Sequence, residues 1–115
     1  FIMGNIQLKK RRNIWTQKEY LLEFNMLSAL ENLFNLARER KKSPVDGSYT
    51  NKLLNDKTLS KEKVLEEINE LIEAVENNSN KIHEAADVFY HLIMYLEAND
   101  IKIEDVMNEL NKRKK

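Results

Sequence analysis

The sequence predicts an all-α protein, a four-helix bundle assembled as a dimer. Three observations point to that fold. Helix formers (Leu, Glu, Lys, Ala, Met) dominate the 115 residues, while only two glycines and one proline are present. Apolar residues recur at helical spacing in four stretches. The stretches are joined by short connections, which favour antiparallel neighbours in a bundle.

Residues 1–15 lack periodicity and hold a basic run, Lys9 to Arg12, of the kind that is ordinarily solvated. Thr16 and Glu19 have capping-box spacing and are expected to open a helix. Leu27, Leu30, Leu33, Phe34 and Ala37 form the apolar stripe of the first helix. Pro44 and Gly47 mark a loop over KKSPVDGSYT, residues 41–50. A second helix is expected from about Ser60, with Val64, Leu65, Ile68, Leu71, Ile72 and Val75 as its stripe. NNSN, residues 77–80, interrupts the pattern. The third helix runs from about Lys81 to Ala98, and an Asn-Asp break follows it. A shorter fourth helix carries Ile103, Val106, Met107 and Leu110 and ends in the basic NKRKK tail.

Composition narrows the function classes. The formal net charge is zero, so there is no global attraction to nucleic acid or membrane. There is no cysteine, hence no disulfide framework and no thiolate zinc site. No apolar run approaches a membrane span and no signal peptide is visible, so a soluble cytoplasmic protein is expected.

The third helix contains HEAADVFYHL, where Glu84, Asp87 and His91 interrupt an otherwise apolar surface. At ~100° per residue these three fall within roughly 60° of each other. Val88 and Tyr95 lie on one side of them, Tyr90 and Met94 on the other. Two carboxylates in so narrow a strip repel one another and lose hydration, so they call for a positive charge. In the second helix, Glu67 and Glu70 lie along one edge of the apolar stripe, beside Leu71 and Ala74, while Glu66 and Glu73 point further out. Antiparallel packing can bring Glu67 and Glu70 against Glu84 and Asp87. Carboxylates gathered around one point suit a hard dication, Mg²⁺ or Mn²⁺ before Zn²⁺. His91 reads as either a hydrogen-bonded structural residue or a ligand, and His83 as a surface residue without a role.

GSYTNKL, KVLEEINE and EAADVFYHL together resemble phosphoribosyl-ATP pyrophosphohydrolase, within the MazG-like all-α nucleotide pyrophosphohydrolase superfamily. The likeness covers residues 26–115 and leaves 1–25 as an N-terminal extension. The resemblance implies a MazG-like fold and metal ligands at Glu67, Glu70, Glu84 and Asp87. It implies Glu66, Glu67 and Glu70 as catalytic acids, with Glu66 helping a second metal or the attacking water. Lys63, Arg40, Ser48, Tyr49, Thr50 and His91 are then the residues expected to bind substrate. The chain departs from the family pattern at Leu65, where a small residue is common, and at Glu62, where a second lysine is frequent. No cyclohydrolase cysteines are present, so the zinc activity of the domain often fused to this family is not expected.

The implied reaction is hydrolysis of the α–β phosphoanhydride of phosphoribosyl-ATP to phosphoribosyl-AMP and pyrophosphate, the second step of L-histidine biosynthesis. A carboxylate cluster alone would repel a triphosphate, and Mg²⁺ would reverse that sign. Two other readings use the same residues. One is a MazG-like enzyme acting on dUTP, dCTP or another nucleoside triphosphate. The other is a non-catalytic helical dimerisation module whose acids are a solvated face. A homodimer is expected because the third helix is apolar around most of its circumference. Its interface is expected around Phe89, Leu92 and Leu96, with Arg40 or the 113–115 tail near a partner's site.

Overall fold

The structure is a computed structural model that describes the backbone of residues 17–114 and the side chains from residue 27 onward. The basic run Lys9–Arg12, Thr16 of the expected capping box and the final Lys115 lie outside the described residues. The chain divides into two units, Phe1–Asn32 and Leu33–Lys115. In the first, the described backbone is helical and Leu27 is exposed. The second holds every residue discussed below.

Helix α1 (Gln17–Lys42) ends in Arg40, Lys41 and Lys42, cations placed where the helix macrodipole favours them. Lys41 Nζ donates to the Glu97 carbonyl at 2.8 Å and pairs with Asp100 at 2.9 Å. Arg38 forks onto the two carboxylate oxygens of Glu104 at 2.9 and 2.7 Å and reaches Glu97 at 3.5 Å. These bonds tie the end of α1 to the end of α4 (Lys81–Ala98) and the start of α5 (Ile103–Arg113).

The expected loop is shorter than KKSPVDGSYT. Residues 43–48 make the connection, with Ser48 N donating to the Val45 carbonyl at 3.1 Å. Gly47 sits in that turn at φ 77°, a conformation that costs glycine little. Tyr49–Asn55 then form a separate helix, α2, so the chain has five described helices where the pattern suggested four. Seven residues are too few to show a helical period. Tertiary burial holds such a short helix together: Thr50, Asn51, Leu53 and Leu54 are all buried, and the Ser48 hydroxyl caps its N-terminus.

Helix α3 (Lys57–Asn77) starts before the expected Ser60, because the Asp56 side chain accepts from Leu59 N at 3.0 Å. Ser60 is therefore a buried residue of the first turn and does not cap the helix. At the far end Asn78 adopts the left-handed conformation, and the Asn78 and Ser79 amides donate to the Val75 and Ala74 carbonyls. Asn80, also left-handed, precedes α4, which has the bounds expected from sequence. The short turn folds α3 and α4 into an antiparallel hairpin, and α2 packs on both helices. No described helix is long and apolar enough to cross a membrane.

The buried apolar residues are Ala37, Leu53, Leu54, Ala74, Ile93, Met94 and Ala98. The expected core stripe of α3 is absent from this set. Leu65, Ile68, Ile72 and Val75 are exposed, as are Ile82, Phe89 and Leu92 of α4. Among the described residues, α2 and the end of α1 cover one flank of the hairpin. An apolar face of this size on one chain marks a surface that packs on something else.

Candidate active site

The α3–α4 hairpin carries two triads of candidate ligands, three acids on α3 and two acids with a histidine on α4. Glu66, Glu67 and Glu70 offer ligand atoms all within 4.8 Å of one another, as do His83, Glu84 and Asp87. The spacing explains each group: residues three and four apart share a helix face. Glu67 is buried at 8% exposure; Glu70, Glu84 and Asp87 are half-buried, and Glu66 is exposed. Electrostatics links the triads across the helix pair. The Glu70 carboxyl is held above its usual pKa, first by the charge on Glu67, then by desolvation and by Glu84 and Glu66.

Glu67 Oε1 and Glu84 Oε1 are shut off from solvent and have no hydrogen-bond partner among the described residues. A buried carboxylate oxygen without a partner is costly. Here one such oxygen comes from each helix of a packed pair, each within its own group of candidate ligands, carboxylates on α3 and two carboxylates with His83 on α4, and neither group offers sulfur. That donor set fits a hard dication.

Helix α2 brings the SYT segment to the same neighbourhood. The Tyr49 phenol is raised above its usual pKa by desolvation, with Lys63 opposing and Tyr90, Glu67 and Glu66 adding to the rise. Lys63 pairs with Glu66 at 3.3 Å, and this contact raises the lysine's pKa. Thr50 Oγ1 is hydrogen-bonded to the Tyr90 hydroxyl, and the Tyr49 and Tyr90 rings stack with centroids 6.4 Å apart. Arg40 Nη1 donates to Ser48 Oγ at 2.7 Å.

His91 is buried, and both ring nitrogens are engaged. The Asp87 backbone carbonyl lies 2.8 Å from Nδ1 and can only accept, so Nδ1 carries a proton. In the neutral ring Nε2 is then an acceptor, and the Tyr49 hydroxyl 3.0 Å away donates to it.

Sequence reasoning passed over three residues at this site. His83 Nε2 lies 3.4 Å from Asp87 Oδ2; the i,i+4 spacing was visible, but the ring is largely exposed, as expected of a surface residue. Tyr90 holds Thr50, a contact between residues 40 apart that no local pattern signals. Asn51, one residue past the expected loop, is buried in α2, and no local pattern marks it.

Comparison with known proteins identifies a family. A family described as Phosphoribosyl-ATP pyrophosphohydrolase matches residues 27–114. The chain is 39% identical over 94 residues to the phosphoribosyl-ATP pyrophosphatase of Clostridium novyi, covering 77% of this chain and 84% of that protein. It is 38% identical over 97 residues to the phosphoribosyl-ATP pyrophosphatase of Methanocella arvoryzae, covering 78% of this chain and all 100% of the relative. The histidine biosynthesis bifunctional protein HisIE of Pyrococcus furiosus is 41% identical over 92 residues, and there the match spans 77% of this chain but only 43% of the relative's length. No solved structure matches the chain. With most of the chain matched, and the acids and the SYT segment inside the matched span, the chain belongs to the phosphoribosyl-ATP pyrophosphohydrolase family.

Proposed function

We propose that this chain hydrolyses phosphoribosyl-ATP to phosphoribosyl-AMP and pyrophosphate, the second step of L-histidine biosynthesis. Water adds to a phosphorus of the α–β anhydride, the bridging P–O bond breaks, and the water's proton passes to a carboxylate. The observation that carries this reading is the pair of unpartnered, buried oxygens of Glu67 and Glu84, set in an acidic cluster beside the SYT segment.

Glu67, Glu70, Glu84 and Asp87 are the residues that would hold Mg²⁺, with Mn²⁺ as a substitute. Bound there, the dication would offset the triphosphate charge and make a water more acidic. Glu66, exposed at the edge of its triad, is the carboxylate assigned to accept the proton, and its exposure supports that role. Lys63, paired with Glu66, is assigned the role of exchanging that ion pair for a phosphate oxygen. Arg40, Ser48, Tyr49 and Thr50 hold the far end of the substrate. His91 serves them by orienting the Tyr49 hydroxyl.

The domain that does this occupies 26–115, with 1–25 as an extension, and works in the cytoplasm as a homodimer. The exposed apolar face of α3 and α4 supports the dimer. The deciding experiment is pyrophosphate release from phosphoribosyl-ATP, with and without Mg²⁺, beside a panel including dUTP and dCTP. Release from phosphoribosyl-ATP alone, lost under EDTA, is expected. Preference for dUTP or dCTP would move the chain to another substrate, and no release from any triphosphate would favour a non-catalytic helical module.

A further inference from the structure

Asn51 is 6% exposed, and its side chain bonds both the end of α1 and the loop that follows it. Its Oδ1 accepts from Val45 N at 2.8 Å, and its Nδ2 donates to the Arg40 backbone carbonyl at 2.8 Å. Its own backbone N donates to Ser48 Oγ at 3.2 Å, the same oxygen that accepts from Arg40 Nη1 at 2.7 Å. Asn51 therefore grips Arg40 at both ends, the carbonyl directly and the guanidinium through Ser48. Among the described residues that guanidinium makes a single hydrogen bond, and the other N–H groups of its fork meet no acceptor there.

We propose that Asn51 is a positioning residue that holds Arg40 and Ser48 in the geometry that receives the substrate's anionic groups. The proposal rests on the reading above that Arg40 contacts substrate. The chemistry needs an amide. One face of residue 51 must accept from Val45 N and the other must donate to the Arg40 carbonyl, and only Asn at this reach does both. A guanidinium fixed before binding loses less freedom when a phosphate arrives, so the effect falls on affinity rather than on the chemical step.

The test is steady-state hydrolysis of phosphoribosyl-ATP with Mg²⁺ by the full chain and by Asn51→Ala, Arg40→Ala, the double variant and Asn51→Asp. Asn51→Ala is expected to raise KM about tenfold with kcat little changed. Arg40→Ala should raise KM at least as far, and the double variant should be no worse than Arg40→Ala. An aspartate at 51 still accepts from Val45 N, but when ionised it sets a second acceptor against the Arg40 carbonyl. Only its protonated form can donate there, so the ratio of Asn51→Asp to wild-type kcat/KM should climb as pH falls. A general folding defect would not produce that climb. A wild-type KM in Asn51→Ala while Arg40→Ala is impaired would overturn the proposal and leave Arg40's role standing. An Asn51→Ala effect that persists undiminished without Arg40 would overturn it too. A wild-type KM in Arg40→Ala would overturn the underlying reading instead. If Asn51→Ala does not fold, a flat Asn51→Asp ratio overturns the proposal.

Discussion

His91 Nδ1 donates to the backbone carbonyl of Asp87, 2.8 Å away and one helical turn earlier. The bond fixes the tautomer, and the tautomer makes Nε2 the acceptor for the Tyr49 hydroxyl at 3.0 Å. A helix-internal contact thus decides how α2 is pinned to α4, beside the acid expected to hold the metal. Tyr49→Phe removes the donor and leaves a buried imidazole nitrogen unpaired. It should lower the free energy of unfolding by about 1–3 kcal/mol, measured by urea denaturation. An unchanged midpoint would mean that Nε2 does not depend on Tyr49.

The two triads make a paired prediction about function and stability. Glu67→Gln and Asp87→Asn keep the side-chain shape but remove charge that a dication needs. Turnover of phosphoribosyl-ATP should drop by more than about 100-fold in either. The metal-free Glu67→Gln protein should melt no lower than wild type, since the charge on Glu67 is the first cause of the raised Glu70 pKa. Wild-type rates in these variants would remove the metal assignment.

Stability should depend on pH in two opposite ways. The Arg38 hydrogen bond holds the Glu104 carboxyl down to a pKa of about 2, below its ordinary 4.5. The native state then binds fewer protons than the unfolded chain in this window. The stability from the pair is complete above pH 4.5 and is lost as pH falls toward about 2. Glu70 has the other sign. Its pKa is raised in the fold, so the native state holds that proton longer, and its penalty is relieved as pH falls through the range just above the ordinary carboxylate value. Melting temperatures against pH, in EDTA, should show Glu104→Gln flattening the acid limb. Glu70→Gln should remove the mildly acidic gain. Profiles identical to wild type would refute both assignments.

The parts of the fold that were legible in the sequence are those with a local cause. Helix α4 has its expected bounds, and the left-handed Asn78 and Asn80 explain why NNSN stops the pattern. The acids of α3 and α4 were readable because i,i+3 spacing fixes their faces without tertiary knowledge. Helix α2 was not, since its stability comes from burial against α3 and α4. The Arg38–Glu104 pair was invisible for a similar reason, as its members lie 66 residues apart. The apolar stripe of α3 was read correctly as apolar and wrongly as core. Periodicity marks a face that avoids water but does not say which chain covers it.

Ser60 tests the start of α3. Its hydroxyl is buried with no hydrogen-bond partner among the described residues, because Asp56 has taken the capping role. Ser60→Ala removes an unpaired polar group and improves helix propensity, so it should leave stability unchanged or raise it by up to about 1 kcal/mol. Destabilisation beyond that would show that the hydroxyl has a bonded water.

The last prediction concerns assembly. Leu65, Ile72 and Val75 on α3 and Phe89 on α4 are 55%, 50%, 57% and 57% exposed, respectively. Covering the exposed half of each such side chain contributes about 0.8–1.5 kcal/mol. A second copy offers the same apolar face, and a two-fold axis lets each face cover the other. Acids that line the hairpin would then lie close to the subunit boundary. Sedimentation equilibrium at micromolar concentration should give a dimer. Phe89→Glu places a charge in the covered face and should shift the protein toward monomer. Circular dichroism should show its helices retained, since Phe89 is not part of the single chain's buried core. A wild-type monomer that hydrolyses substrate at full rate would show that α3 and α4 work with their apolar face in water, and the dimer would have to be abandoned.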